Sequence, residues 1–307
     1  MVLAYPTRPL TAVNRFMHSN HPPLMHAELH YPTDDHIKLS AHACGNPDHP
    51  PVILLHGGGQ TRHAWKKTAR GLAERGFYAI AADLRGHGDS GWSPAGDYSP
   101  DRYVSDLRCI AAKCQQAPAL IGASLGGLTG LLAEGEGPPF LSALVLVDFT
   151  PTVQYAGVQK VLQFMGSCAT DGFASVEAAA ESIAAYLPHR PRPNSLTGLQ
   201  KNLRLHADGR YRWHWDPAML QDSDKGQIDA LSERMTRAAR RLKLPVLLVR
   251  GGNSELVSQE DAEHFLSLVP GARYTDIAEA RHMVAGDMND HFGVAVLDFL
   301  QKSIMPS

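Results

Sequence analysis

Hydrophobic and polar positions along this chain fall into two alternating textures. Short continuous apolar runs recur at Pro51-Val52-Ile53-Leu54-Leu55, Tyr78-Ala79-Ile80-Ala81-Ala82, Ala119-Leu120-Ile121, Leu144-Val145-Leu146-Val147 and Pro245-Val246-Leu247-Leu248-Val249. Runs of that length predict strands buried on both faces, as in a parallel sheet. Between them the apolar residues space out at helical intervals. Trp65, Ala69, Leu72 and Ala73 mark one helix that closes at Gly76. Further helices are predicted over 101–114, from Leu125 onward, over 259–268 and near 290–304. Two shorter strands, at about 26–31 and 37–43, flank the turn Thr33-Asp34-Asp35 ahead of the series, and a strand at 272–277 comes near its end.

Regular strand–helix alternation predicts an α/β fold, a mostly parallel central sheet with helices on both faces, because right-handed crossovers cover both sides. The alternation breaks between Thr150 and about Arg241, where the text is helical and loop-like, with Pro188, Pro191 and Pro193 in the middle and no buried strand run. A stretch of about 90 residues is too long for a loop and is expected to form an inserted helical cap. The organisation read from the chain is therefore an N-terminal arm over 1–25, a core over 26–150 and 242–307, and a cap over 151–241. No internal repeat or low-complexity segment interrupts it.

Composition narrows the function classes. A chain of 307 residues can bury a sizeable core without disulfide or metal staples. A formal charge of −2 and a pI near 6.8 give no electrostatic basis for nucleic acid or an anionic membrane as partner. The four cysteines, Cys44, Cys109, Cys114 and Cys168, have no C-x-x-C spacing and suit a reducing compartment. The first twenty residues carry Arg8 and Arg15 but no apolar block of a secretory signal, and no apolar run approaches a membrane span. A cytoplasmic protein is expected. Sixteen histidines invite a metal reading, above all His18, His21, His26, His30 and His36. Their spacings repeat no ligand pattern and no H-E-x-x-H is present, so no metal is expected.

Candidate chemistry concentrates at Gly122-Ala123-Ser124-Leu125-Gly126, followed by Gly127. A strand enters this stretch and a helix leaves it. A serine on so tight a junction takes strained backbone angles, its hydroxyl is pushed above the sheet edge, and the helix N-terminus behind it favours developing negative charge. Three other signals stand in sequence order around it. They are His56-Gly57-Gly58-Gly59 after the third strand, Asp83-Leu84-Arg85-Gly86-His87-Gly88-Asp89-Ser90 after the fourth, and His282 in Glu279-Ala280-Arg281-His282-Met283-Val284-Ala285-Gly286-Asp287.

Taken together, at this spacing, the four signals resemble the α/β-hydrolase family over most of 51–300. The resemblance implies acyl transfer to water without a cofactor: Ser124 as nucleophile, His282 as its base, and the backbone N–H groups of Leu125 and Gly58 as oxyanion donors. It also implies that His56 and His87 brace loops. A serine at the elbow separates the chain from epoxide hydrolases and haloalkane dehalogenases of the same fold, which attack with aspartate.

The acid that orients the histidine has two candidates. The family usually places it after the strand that follows the cap, but here that stretch reads Arg250-Gly251-Gly252-Asn253-Ser254-Glu255-Leu256-Val257-Ser258, with Ser254 at the customary position and Glu255 beside it. Asp148, in Val147-Asp148-Phe149-Thr150-Pro151, is the alternative. A branch of small esterases and thioesterases resembles the chain at both places and takes its acid from the earlier strand, which favours Asp148 over Glu255. The expected substrate is a small carboxylic ester or lactone. Thioester hydrolysis, C–C bond hydrolysis and perhydrolysis by the same triad remain open, and a non-catalytic ligand-binding protein is the rival from another class. Within the cap, Tyr211, Trp213 and Trp215 alternate with polar residues, so an extended segment turns them one way. They suit either a hydrophobic wall for the substrate or packing of cap on core, as do Phe164, Met165 and Tyr186.

Overall fold

The computed structural model describes residues 24–152, 155–186, 196–220, 224–278, 280 and 289–305. Eight strands form the main sheet: β1 (His26–Pro32), β2 (Lys38–Cys44), β3 (Pro51–Leu55), β4 (Tyr78–Ala82), β5 (Ala119–Ala123), β6 (Ala143–Val147), β9 (Val246–Gly251) and β10 (Arg273–Ile277). Between β6 and β9 the chain adds β7 (Leu203–Leu205) and β8 (Tyr211–Trp213), which pair with each other as a small antiparallel sheet. The order across the main sheet is β1-β2-β4-β3-β5-β6-β9-β10, antiparallel at the β1–β2–β4 end and parallel from β4 onward.

The continuous apolar runs have a simple cause. Ile53, Leu55, Leu120, Leu144, Leu146 and Leu248 face one side, under α2 (Pro100–Ala111), α3 (Leu125–Glu136), α7 (Lys225–Ala239) and α8 (Gln259–Leu268). Val52, Leu54, Ile121, Val145, Val147, Leu247 and Val249 face the other, under α1 (Lys66–Ala73) and α9 (Asn289–Ile304). Both faces are covered, so the central runs of these strands are apolar throughout. Edge strand β1, by contrast, is mostly exposed and reads as mixed sequence.

This order sets the place of the site. From β3 the chain moves outward to β4 on one side and then returns to β5 on the other. The loops that leave β3 and β5 therefore part in opposite directions, opening a crevice at their C-terminal ends, where open α/β sheets bind ligands.

The segment between β6 and β9 adds a small sheet to the helices expected there. Besides α4 (Tyr155–Gly166), α5 (Val176–Tyr186) and the short α6 (Thr197–Gln200), it contains β7 and β8, with Phe173 bridging to Tyr211. Three residues per strand are too few to produce a recognisable run. Met165, Phe173, Val176, Ala179, Leu203, Trp213 and Trp215 give this insertion an apolar cluster of its own. Helix α7, expected inside the cap, instead buries Met235, Ala238 and Ala239 in the main core beside Leu131 and Leu132 of α3. Pro188, Pro191 and Pro193 lie outside the described residues. All four cysteines are unpaired. No helix among the described residues is long and apolar enough to cross a membrane.

Candidate active site

Strand β5 delivers Ser124 to the sheet edge, and α3 begins at the next residue. Ser124 has φ +47° and ψ −110°, a conformation that costs a non-glycine residue about 1–3 kcal/mol and persists only where surroundings enforce it. Here the Ser124 N–H donates to the Val147 carbonyl at 3.3 Å, and the Ser124 carbonyl accepts from Leu128 N–H at 2.9 Å. The flanking glycines permit the crossing. A Cβ on Gly122 would collide with the Gly126–Gly127 backbone, and one on Gly126 with the Leu55 backbone. The Ser124 hydroxyl makes no capping bond to α3 and the residue is half-buried.

Beside it runs the loop that leaves β3. A Cβ on Gly57 would lie 3.3 Å from that of Ser124, so this loop and the serine turn are in contact. Most of the loop's polar groups are engaged. Gly57 N–H donates to Gln60 Oε1 at 3.0 Å, and Gly59 N–H donates to His87 Nε2 at 3.1 Å. His56 Nε2 accepts from Leu84 N–H at 3.0 Å, which leaves its Nδ1–H to donate to the Gly57 carbonyl at 2.8 Å. His87 likewise donates from Nδ1 to the Arg85 carbonyl at 3.0 Å. Both rings are fully buried, and loss of solvent pushes His56 down to about 4 and His87 to about 3. They are neutral, as their acceptor roles require. Two amides differ from the rest: Gly58 N–H and Leu125 N–H meet no acceptor among the described residues. Leu125 opens α3, where an N–H has no partner within the helix.

Asp148 follows β6 and is also held at positive φ, +48°. Its N–H donates to the Val249 carbonyl at 2.7 Å. One carboxylate oxygen accepts from Gly251 N–H at 2.9 Å and the other from Ser254 Oγ at 2.6 Å. Ser254, which stands where a carboxylate is usual, thus donates to one. Its oxygen also accepts from Leu256 and Val257 N–H, both at 3.1 Å. Glu255 lies differently: its side chain is 55% exposed and pairs with Lys160 Nζ of α4 at 3.1 Å. His282 lies outside the described residues.

The insertion reaches the same crevice. Trp213 and Trp215 stack at 4.8 Å between centroids, 14° from parallel, and are buried with Met165 and Phe173. Trp213 packs inside the insertion. Trp215 and Met165 descend onto the glycine loop: a Cβ on Gly59 would sit 3.4 Å from each, and one on Gly58 3.8 Å from Met165 Sδ. The insertion is also bonded to the loop after β4. Gly88 N–H donates to His214 Nδ1 at 2.7 Å, Asp216 N–H to the Gly86 carbonyl at 2.8 Å, and Arg204 to Gly88 O at 3.0 Å and Asp89 Oδ1 at 2.9 Å. Tyr98 OH donates to Asp216 as well. Sequence reasoning missed Gln60, the Ser254 hydroxyl and His214. A signal for the last was present, since the alternation that turns Trp213 and Trp215 one way turns His214 the other. Among the described residues, no group of histidine, cysteine and carboxylate side chains could hold a metal ion.

A strained serine between strand and helix at the switch point of an α/β sheet defines a class. The sequence profile of the alpha/beta hydrolase fold family matches residues 50–287, and the chain belongs to that family. It is 32% identical over 247 residues to Esterase Rv0045c of Mycobacterium tuberculosis, covering 78% of each chain. A crystal structure of that esterase superposes with a TM-score of 0.72 at 29% identity, covering 92% of both chains. The chain is also 26% identical over 265 residues to the sn-1-specific diacylglycerol lipase ABHD11 of Mus musculus, 83% of this chain and 82% of the lipase. The crystal structure of E-2-(acetamidomethylene)succinate hydrolase has a TM-score of 0.75 at 22% identity, covering 90% of this chain and 100% of that one. At that identity the likeness is one of fold.

Proposed function

We propose that the chain is a serine hydrolase that cleaves a carboxylic ester or lactone through an acyl-serine, without a cofactor. The observation that carries this reading is the pairing of Ser124, held at φ +47°, with two adjoining backbone N–H groups, Gly58 and Leu125, that meet no acceptor among the described residues. Donors left open beside a nucleophile are what a developing oxyanion needs, and removing one from a comparable site costs about 3–4 kcal/mol of barrier. Kinship with a mycobacterial esterase supports the same chemistry.

In this mechanism His282 takes the proton from the Ser124 hydroxyl as the oxygen attacks the carbonyl carbon. Gly58 and Leu125 N–H receive the negative charge, and His282 returns the proton to the departing alkoxide. Water then repeats the sequence on the acyl-serine, releasing the acid and restoring the hydroxyl. Asp148, bonded through both oxygens to Gly251 and Ser254, orients His282 and stabilises its charged form. The insertion acts as the cap, with Met165 and Trp215 as an apolar wall over the acyl or alcohol portion.

Labelling with a fluorophosphonate probe, together with turnover of short-chain ester and lactone panels, tests the reading. Ser124→Ala is expected to keep a native thermal transition, to lose all labelling, and to lose turnover by a factor on the order of 10⁶. Wild-type protein that neither labels nor hydrolyses any ester would hand the fold to the non-catalytic binding alternative. Retained turnover in the alanine variant would remove Ser124 from the mechanism.

A further inference from the structure

Gln60 is bonded to Gly57 twice. Residues 57–60 form a β-turn closed by the Gln60 N–H, which donates to the Gly57 carbonyl at 3.1 Å, with Gly59 at φ +74° in the third position. The Gln60 side chain folds back along the same turn, and its Oε1 accepts from the Gly57 N–H at 3.0 Å. Only the oxygen of a carboxamide can take that bond, so the side-chain amide has one orientation. A Cβ on Gly57 would lie 3.2 Å from Gln60 Oε1 and 3.3 Å from the Ser124 Cβ. The carboxamide and the nucleophile thus meet at the same point of Gly57.

We infer that Gln60 is a positioning residue for the Gly58 N–H, and that a carboxamide stands there because the position needs an acceptor without a charge. The inference rests on the serine-hydrolase reading and adds a residue to it. A peptide group is planar, so the Gly58 N–H is aimed by whatever orients the Gly57 carbonyl. Two donors hold that carbonyl, His56 Nδ1–H at 2.8 Å and the Gln60 N–H. His56 is fully buried and is fixed in turn by the Leu84 N–H on its Nε2. Gln60 is half-buried, and its hydrogen bonds among the described residues run to Gly57 alone. A carbonyl oxygen accepts over a broad range of angles, so two donors on it leave the peptide plane room to tilt. Gly57 has no side chain to restrict its own φ and ψ. The Oε1 bond supplies that restriction, because it holds the peptide on the other side of the Gly57 Cα. A carboxylate of the same length would hold the Gly57 N–H more strongly, but it would set a negative charge beside the developing oxyanion.

Two variants separate the acceptor from the charge. Gln60→Met removes the acceptor at nearly constant length, whereas Gln60→Glu keeps the acceptor and adds the charge. The readouts are the thermal midpoint, kcat and KM on an ester that wild-type protein hydrolyses, and inhibition by a trifluoromethyl ketone, whose adduct with serine carries an oxyanion. Wild-type protein that neither turns over esters nor labels would count against the hydrolase reading itself, which keeps the two failures distinct.

For Gln60→Met, kcat is expected to fall about tenfold with KM within about twofold, the scale of one hydrogen bond, and the ketone should weaken by the same factor. For Gln60→Glu, the thermal midpoint should match or exceed that of wild type, while kcat and ketone inhibition still fall about tenfold. Activity lost without stability is an outcome that a merely structural role does not give. A folded Gln60→Met protein with kcat and ketone inhibition within about twofold of wild type would overturn the inference. So would a Gln60→Glu protein as active as wild type, a loss confined to KM, or losses in both variants that track a lowered thermal midpoint. If neither variant folds, amide exchange in wild-type protein decides. The Gly57 N–H should be protected in the free protein, and the Gly58 N–H only in the ketone adduct. Equal exchange at the two amides in the free protein would overturn the inference.

Discussion

Two carboxylates stand near the C-terminal edge of the sheet, and their surroundings differ in nearly every respect. Asp148 is 1% exposed, sits at φ +48° on the turn leaving β6, and accepts hydrogen bonds from Gly251 and Ser254 of the neighbouring loop. Glu255 belongs to that neighbouring loop, extends into solvent, and pairs with Lys160 on the insertion. One charge is fixed by a backbone N–H and a half-buried hydroxyl at the sheet edge; the other rests on two long side chains. A base that must hold one tautomer through two proton transfers needs a partner of the first kind. An exposed pair of the second kind has many rotamers and is screened by salt. Conformation separates the two more sharply than distance along the chain, because Asp148 lies 103 and 106 residues from its donors while Glu255 adjoins one of them.

The largest test of this contrast is Asp148→Asn. The amide keeps the size of the side chain and removes the charge that would hold His282, a change worth about 10⁴ in turnover in a serine-protease site. A similar loss is expected here, at nearly unchanged KM, in protein checked first for a native thermal transition. Near-normal turnover in that variant would break the contrast at its stronger end.

Ser254→Ala should come next in size. Its hydroxyl donates to Asp148 at 2.6 Å and accepts from Leu256 and Val257 N–H. A hydrogen bond to a charged group contributes about 1.5–3 kcal/mol. Turnover is therefore expected to drop roughly ten- to hundredfold, with a lower denaturant midpoint as the two amides lose their acceptor. An unchanged kcat would mean that the Gly251 amide alone orients the carboxylate.

These two residues also show where the sequence was readable and where it was not. Strands β3 and β4 have the bounds their apolar runs predict, because burial on both faces leaves the run no freedom to blur. The turn at Ser124 was legible for a local reason, the glycines that let strand and helix cross. The bond from Ser254 to Asp148 was not, since it joins the ends of two strands that meet only in the folded sheet. What the sequence did carry was the substitution itself, a serine where a carboxylate is customary, and the structure gives that serine a partner. The insertion resisted for a different reason. Its strands are three residues long, and α7 follows it with an amphipathic pattern that does not say whether its partner is the cap or the core. His214 was hidden in plain view by the two tryptophans on either side of it.

The smallest expected effect belongs to Glu255→Gln. Exposed lysine–carboxylate pairs contribute about 0–1 kcal/mol, and both partners here are more than half exposed, Lys160 at 59% and Glu255 at 55%. Stability should change by no more than about 0.5 kcal/mol, and kcat should stay within about twofold. The pair nevertheless joins α4 to the loop that carries Ser254, so a loosened insertion would appear as a modest rise in KM for bulky esters while small esters are unaffected. Added salt should reproduce that rise in wild-type protein, because it screens an exposed pair and leaves the buried hydrogen bonds of Asp148 in place. The variant itself should then be insensitive to salt, which ties the effect to this pair. A crippled Glu255→Gln beside an active Asp148→Asn would invert the contrast. The exposed carboxylate would then be the one that holds His282, and the buried one would serve only to fasten the loop after β9 to the end of β6.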